Sequence, residues 1–166
     1  MSVKYVVIVN PNAGNKRGEK DWPLIETCLK KYNINYEAEF TQGQGHAGEI
    51  CTNKIKEGFK YFLVVGGDGT LNEVLNGIFC CNINYNDIVL GNIPVGTGND
   101  WCRTYKIPND IEKSVEIISK KHVFKQDVGR AFYIKDGKEE SRYFMNVAGM
   151  GFDAFVAFQT NQKKEE

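Results

Sequence analysis

The residues of this chain best placed to do chemistry are Gly66-Gly67-Asp68-Gly69-Thr70-Leu71-Asn72-Glu73. They follow the short apolar run Tyr61 to Val65 and lead into an apolar stripe at Leu71, Val74, Leu75 and Ile78. The run reads as a buried strand and the stripe as a helix face. Thr70 and Glu73 have capping-box spacing, which predicts a helix N-terminus at Thr70. A glycine turn between a strand end and a helix start lets a ligand approach the backbone. The helix N-terminus adds unpaired N–H groups and partial positive charge, a combination suited to phosphate. Asp68 would repel phosphate unless a metal ion or a hydroxyl group shares the site.

Strands and helices must alternate to position this turn. Lys4 to Val9 reads as a strand ending in the turn Asn10-Pro11-Asn12-Ala13-Gly14, and a helix from about Asp21 to Tyr32 follows, with Pro23 in its first turn. Asn35 to Phe40 is a second strand, His46 to Glu57 a helix, and Ile88 to Ile93 a fourth strand ending in Pro94-Val95-Gly96-Thr97-Gly98-Asn99-Asp100. A short helix over about 100–105 and an Asp110-capped helix complete the pattern. The order predicts an α/β fold with a doubly wound parallel sheet over residues 1–121. From residue 122 the pattern changes. His122 to Val128, Arg130 to Lys135 and Arg142 to Val147 read as consecutive strands, with Asp136-Gly137 as a hairpin turn. Residues 122–166 are therefore expected to be the first strands of an incomplete all-β second domain in a truncated chain. Their open edges predict association into oligomers.

In a parallel sheet the loops at 10–14, 41–48, 66–73 and 94–100 share one edge, so they are expected to converge on one crevice. Lys16 and Arg17 lie just past the first loop, where they would neutralise phosphate. Gly43-Gln44-Gly45-His46-Ala47-Gly48 mimics a dinucleotide fingerprint, but it follows the second strand rather than the first. There is no Walker A motif and no G-x-S-x-G, and His46 and His122 have no partners at zinc-ligand spacing. The 21 basic and 21 acidic residues cancel, which gives no global field toward nucleic acid. Five cysteines without a C-x-x-C pair predict free thiols in a reducing cytoplasm. No apolar run approaches the ~20 residues of a membrane span.

The blocks Asn10-Pro11-x-Ala13-Gly14, Thr41-x-x-x-Gly45-His46-Ala47, Gly66-Gly67-Asp68-Gly69-Thr70-x-Asn72-Glu73 and Pro94-x-Gly96-Thr97-x-Asn99-Asp100 resemble the diacylglycerol kinase catalytic-domain family. Asp127-x-Gly129 and Phe144-x-Asn146-x-Ala148-x-x-Gly151 match it too. The likeness covers about residues 3–157 and is nearest to the soluble bacterial lipid kinases, with sphingosine and ceramide kinases further off. The glycine-Asp turn alone is shared with NAD kinases and resembles that of phosphofructokinases. The resemblance implies an α/β domain of that type followed by a β-sandwich substrate domain. It also implies ATP and Mg²⁺ as cofactors, a lipid hydroxyl such as that of diacylglycerol as acceptor, a part in phospholipid biosynthesis, and transient contact with a membrane surface. It places nucleotide contacts at Asn10, Thr41, Gly66, Gly67, Asp68, Gly69, Thr70, Leu71, Asn72 and Thr97. It gives Asp68 a catalytic part, with Asp68 and Asp127 as metal candidates. The family's general base falls beyond residue 166, so this stretch alone is expected to be inactive. The alternatives are an NAD kinase-like enzyme and a nucleotide-binding module without catalysis.

Overall fold

The computed structural model describes residues 3–149. Strands β1 (Lys4–Val9), β2 (Asn35–Phe40), β3 (Tyr61–Gly66) and β4 (Val89–Pro94) form one sheet in the order β2-β1-β3-β4, every neighbouring pair parallel. The α/β, doubly wound expectation holds. Between them run α1 (Ala13–Lys20), α2 (Trp22–Lys31), α3 (His46–Lys56) and α4 (Asp68–Phe79), and after β4 come α5 (Asp100–Thr104) and α6 (Ile111–Ser119).

Alternation along the central strands feeds two cores. Val7, Val9, Leu63 and Val65 pack against Ile25 and Leu29 of α2 and Ile111 and Val115 of α6. Val6, Ile8, Phe62 and Val64 face Ala47 and Ile50 of α3, Leu71 and Val74 of α4, and Trp101. Strands buried on both faces read as unbroken apolar runs for this reason. Helices α3 and α4 approach closely because two glycines meet: a Cβ on Gly77 would stand 2.4 Å from the Gly48 carbonyl oxygen.

The chain leaves β1 toward β2 on one side and returns to β3 on the other. The C-terminal ends of β1 and β3 therefore flank the point where strand order reverses, which is where open α/β sheets bind ligands. The Asn10 N–H donates to the Val65 carbonyl at 2.9 Å, tying the two ends together.

The structure departs from the sequence reading in three places. First, α4 begins at Asp68 with Gly67 as its cap, not at Thr70, and no capping box forms. Gly67 is extended (φ −107°, ψ −169°), which lets the helix start at once, and the Thr70 hydroxyl accepts instead from Asn10 Nδ2 at 2.9 Å. Second, the turn after β1 runs on through left-handed Gly14, Asn15 and Lys16 into the right-handed part of α1. A Cβ on Gly14 would stand 1.8 Å from the Val95 carbonyl oxygen, so the β1 and β4 loops touch only because that residue is glycine. Third, 122–128 is not a strand. Phe124 packs on Tyr105 (centroids 4.6 Å apart), and Gln126 Oε1 accepts from the Trp101 indole N–H at 2.8 Å. The segment joins α5 rather than a ladder.

The hairpin β5 (Gly129–Lys135) and β6 (Lys138–Phe144) forms as expected, with Asp136 (φ 51°) and Gly137 (φ 75°) in the two-residue turn. That turn sets the register Lys135 to Lys138, so β6 starts earlier than the apolar pattern implied. Gly151 and the polar tail lie outside the described residues. The cysteines Cys28, Cys51, Cys80, Cys81 and Cys102 are free. Burial raises the thiol pKa of Cys51, and that of Cys102 to about 11, so both stay protonated and unreactive at neutral pH. Among the described residues no helix is long and apolar enough to cross a membrane.

Candidate functional site

The four loops do converge. At the C-terminal edge of the sheet lies a crevice of about 500 Å³, lined from the first loop by Asn10, Asn12, Ala13 and Gly14, and from the second by Thr41, Gly43 and Gln44. The glycine turn and α4 contribute Gly67, Asp68, Gly69, Thr70 and Glu73, and the last loop Gly96, Thr97 and Gly98. Seven of the ten expected nucleotide contacts line it: Asn10, Thr41, Gly67, Asp68, Gly69, Thr70 and Thr97. Three do not. Gly66 is buried at the strand end, where a Cβ would stand 2.7 Å from Thr70 Cβ. Leu71 is in the core, 1% exposed. The Asn72 carboxamide turns to the β5–β6 hairpin, donating to the Tyr143 carbonyl at 2.9 Å and accepting from Arg142 Nε at 3.0 Å.

Each loop is held by its own bonds. Asn10 Oδ1 accepts from the Asn12 N–H at 3.0 Å, which shapes the first turn, and Thr41 N–H donates to the Val9 carbonyl at 2.8 Å. His46 Nδ1 accepts from the Gln42 N–H at 3.0 Å and closes the second loop. The third and fourth loops lie back to back. A Cβ on Gly96 would stand 2.5 Å from Gly67 Cα. Gly67 thus serves loop packing, and its φ is one that any residue adopts. Gly69 differs: nothing lies within 4 Å of where its Cβ would be. Gly69 is exposed and lines the crevice.

Asp68 has a definite task. Its two carboxylate oxygens accept from the backbone N–H groups of Asp100 and Trp101, each at 3.1 Å. It is a long-range cap for α5, which has no side-chain cap of its own, and it fixes the 96–100 loop against the glycine turn. The N–H groups of Asp68, Gly69 and Thr70, in the first turn of α4, have no intrahelical partners. Among the described residues they have no other hydrogen-bond acceptor, and their residues line the crevice. Asn99, 3% exposed, donates to the Gly96 carbonyl at 2.8 Å while its Oδ1 has no partner.

Of the expected cations and metal candidates, Asp68 alone lines the crevice. Arg17 Nε is paired with Asp21 at 3.0 Å, and neither Arg17 nor Lys16 lines the crevice. Asp127 is exposed and lies outside it, because the strand expected to carry it is not formed. Among the described residues no three His, Cys, Asp or Glu side chains converge on a metal position. Sequence reasoning passed over Glu73 as a cap residue. It lines the crevice and also a second groove of about 500 Å³ between α3 and α4, floored by Gly48 and Gly77 and reaching Arg142. Its place one turn beyond Gly69 on α4 was the available signal.

Glycine turns, a helix N-terminus and a switch point together give an α/β domain whose crevice has the donor set suited to phosphate. The model of the diacylglycerol kinase catalytic domain matches residues 4–131, and the chain belongs to that family. It is 34% identical over 157 residues to a diacylglycerol kinase of Staphylococcus carnosus, covering 95% of this chain and 48% of the relative. It is 32% identical over 157 residues to one of Staphylococcus saprophyticus, covering 95% and 48%. A crystal structure of a diacylglycerol kinase from Bacillus anthracis superimposes with a TM-score of 0.65 at 30% identity, over 82% of this chain and 45% of that one. The chain spans about half the length of the curated relatives it matches.

Proposed function

We propose that the crevice binds the phosphates of ATP and that the protein belongs to an enzyme that transfers the γ-phosphoryl group to a lipid hydroxyl, as its diacylglycerol kinase relatives are named for. The observation that carries this is the set of free N–H groups at Asp68, Gly69 and Thr70, set against the open space at Gly69. The donor set fits a polyphosphate: backbone N–H groups on one wall, hydroxyl and amide side chains of Thr97, Thr41 and Asn10 on the others. The adjoining α3–α4 groove, joined through Glu73, gives the rest of a nucleotide room to lie.

Phosphoryl transfer is mainly positioning and charge stabilisation. The α4 N-terminus holds phosphate oxygens through its N–H groups and partial positive charge. Asp68 keeps the Gly96 to Asp100 loop closed on the turn, so that Thr97 stays at the crevice mouth. Mg²⁺ would offset phosphate charge when bound. Asp68, through lone pairs that its two N–H bonds leave free, is the crevice carboxylate nearest the donors, and Asp127 could join it only through a change in the 122–128 segment. Residues 122–166 are read as the start of the acceptor domain, with the one domain boundary near residue 121. A lipid acceptor requires working contact with a bilayer surface.

The test uses the complete gene product that carries this chain, incubated with γ-labelled ATP, Mg²⁺, lipid extracts and, separately, NAD. Label is expected in a lipid and not in NADP. Label in NADP alone would replace this reading with an NAD kinase, and label in neither would favour a module without catalysis.

A further inference from the structure

Helix α4 carries an unexplained pair of asparagines one turn apart, Asn72 and Asn76, on the side facing the hairpin. Asn76 reads the main chain of one residue of β6 as a strand neighbour would: its Nδ2 donates to the Tyr143 carbonyl at 3.0 Å and its Oδ1 accepts from the Tyr143 N–H at 2.9 Å. Asn72 adds a second donor to that carbonyl at 2.9 Å and accepts from Arg142. Asn76 Nδ2 also donates to the Asn72 carbonyl, at 2.8 Å, which fixes its rotamer. Phe79, further along α4, stacks on the Tyr143 ring at 4.4 Å. The outer edge of β6 is thus capped by side chains, which is why the hairpin edge is not open at Tyr143 as the sequence suggested.

A second anchor leads to the same place. Gln126 Nε2 donates to the Met145 carbonyl at 2.6 Å while its Oε1 takes the Trp101 indole N–H. The Trp101 backbone N–H is one of the two bonded to Asp68. Both attachments of the hairpin therefore end on helices whose first turns meet at Asp68.

We propose that Asn72 and Asn76 are positioning residues that fasten the β5–β6 hairpin to the phosphate-binding helix, so that nucleotide binding and hairpin docking are energetically coupled; this rests on the phosphate reading of the crevice. Phosphate bound at the first turn of α4 orders the helix that holds Tyr143, and a docked hairpin returns the same factor in nucleotide affinity, because coupling is reciprocal. A residue at this junction sets where the second unit stands relative to the γ-phosphate without touching either reactant.

The experiment is amide hydrogen exchange by NMR on the protein with and without MgATP, in wild type and in Asn76→Asp. The variant is isosteric, keeps an acceptor for the Tyr143 N–H and turns the donor to the Tyr143 carbonyl into a repelling oxygen. In the wild type, MgATP is expected to slow exchange at Tyr143 by about fivefold or more, the size of a typical coupling. In Asn76→Asp the Tyr143 amide is expected to exchange faster, to lose its response to MgATP, and to be accompanied by about fivefold weaker MgATP binding. The amides of Val7 and Val64 should be unaffected. Asn72→Ala is expected to move the same readouts less far. Wild-type exchange at Tyr143 in both variants overturns the proposal, as does lost protection with unchanged MgATP affinity, or equal loss at Val7 and Val64. Absence of any MgATP effect at Gly67 to Thr70 in the wild type would instead overturn the phosphate reading, and the coupling with it.

Discussion

Gly69→Val is expected to weaken MgATP binding by on the order of 100-fold without unfolding the domain. Among the described residues nothing outside its own turn lies within 4 Å of the Cβ position at Gly69, a residue that lines the crevice, so the new side chain is expected to find room and to narrow the crevice. It would be carried by the first turn of α4, beside the donors. Hydrogen bonds to charged groups are worth about 1.5–3 kcal/mol each, so losing even one or two such contacts weakens binding by on the order of 100-fold. Glycine is a poor helix residue, and its loss from the first turn of α4 should leave the melting temperature nearly unchanged. Gly67→Val is a poorer test, since a Cβ there would press on Gly96 Cα at 3.1 Å and disturb the fold as well. Calorimetric titration beside a thermal melt checks the expectation. Unchanged affinity would place the phosphates elsewhere, and joint loss of binding and folding would show that Gly69 serves structure.

Asp68→Ala is expected to act through α5. Removing the carboxylate leaves the Asp100 and Trp101 N–H groups without their acceptor, and α5 has no other side-chain cap. Loss of such a cap costs about 0.5–2 kcal/mol. The Gly96 to Asp100 loop then loosens from the glycine turn, and phosphotransfer by the complete gene product should fall by on the order of 100-fold or more, as loss of a preorganised group at a transfer centre does. Asp68→Asn keeps one acceptor oxygen and should retain more of the melting temperature than Asp68→Ala, while losing the charge. Equal melting temperatures and near wild-type turnover in both variants would remove Asp68 from the site.

What could be read in the sequence was local. Val6 to Val9 and Phe62 to Val65 are apolar on both faces, which is the pattern of central parallel strands, and the loops that follow such strands must share an edge. That was enough to bring Asn10, Thr41, Asp68 and Thr97 to one crevice. The bonds that give each residue its task join distant positions and leave no periodic trace. Asp68 caps a helix that starts at Asp100, and Asn72 and Asn76 hold Tyr143. The capping-box pattern at Thr70 and Glu73 was overridden because an extended Gly67 started the helix earlier and Asn10 took the Thr70 hydroxyl. His122 to Val128 alternates like a strand but finds no ladder partner among the described residues. Its side chains are used on Trp101, Tyr105 and Met145 instead.

The central claim is that the free N–H groups at the start of α4 hold nucleotide phosphate. Titration of the isotope-labelled protein with MgATP, followed amide by amide, tests it most directly. Saturable shifts largest at Asp68, Gly69 and Thr70, with smaller ones at Asn12 to Gly14 and at Thr97, are the expected result. Saturable binding that leaves Asp68, Gly69 and Thr70 unmoved, or no binding at millimolar MgATP, would contradict it.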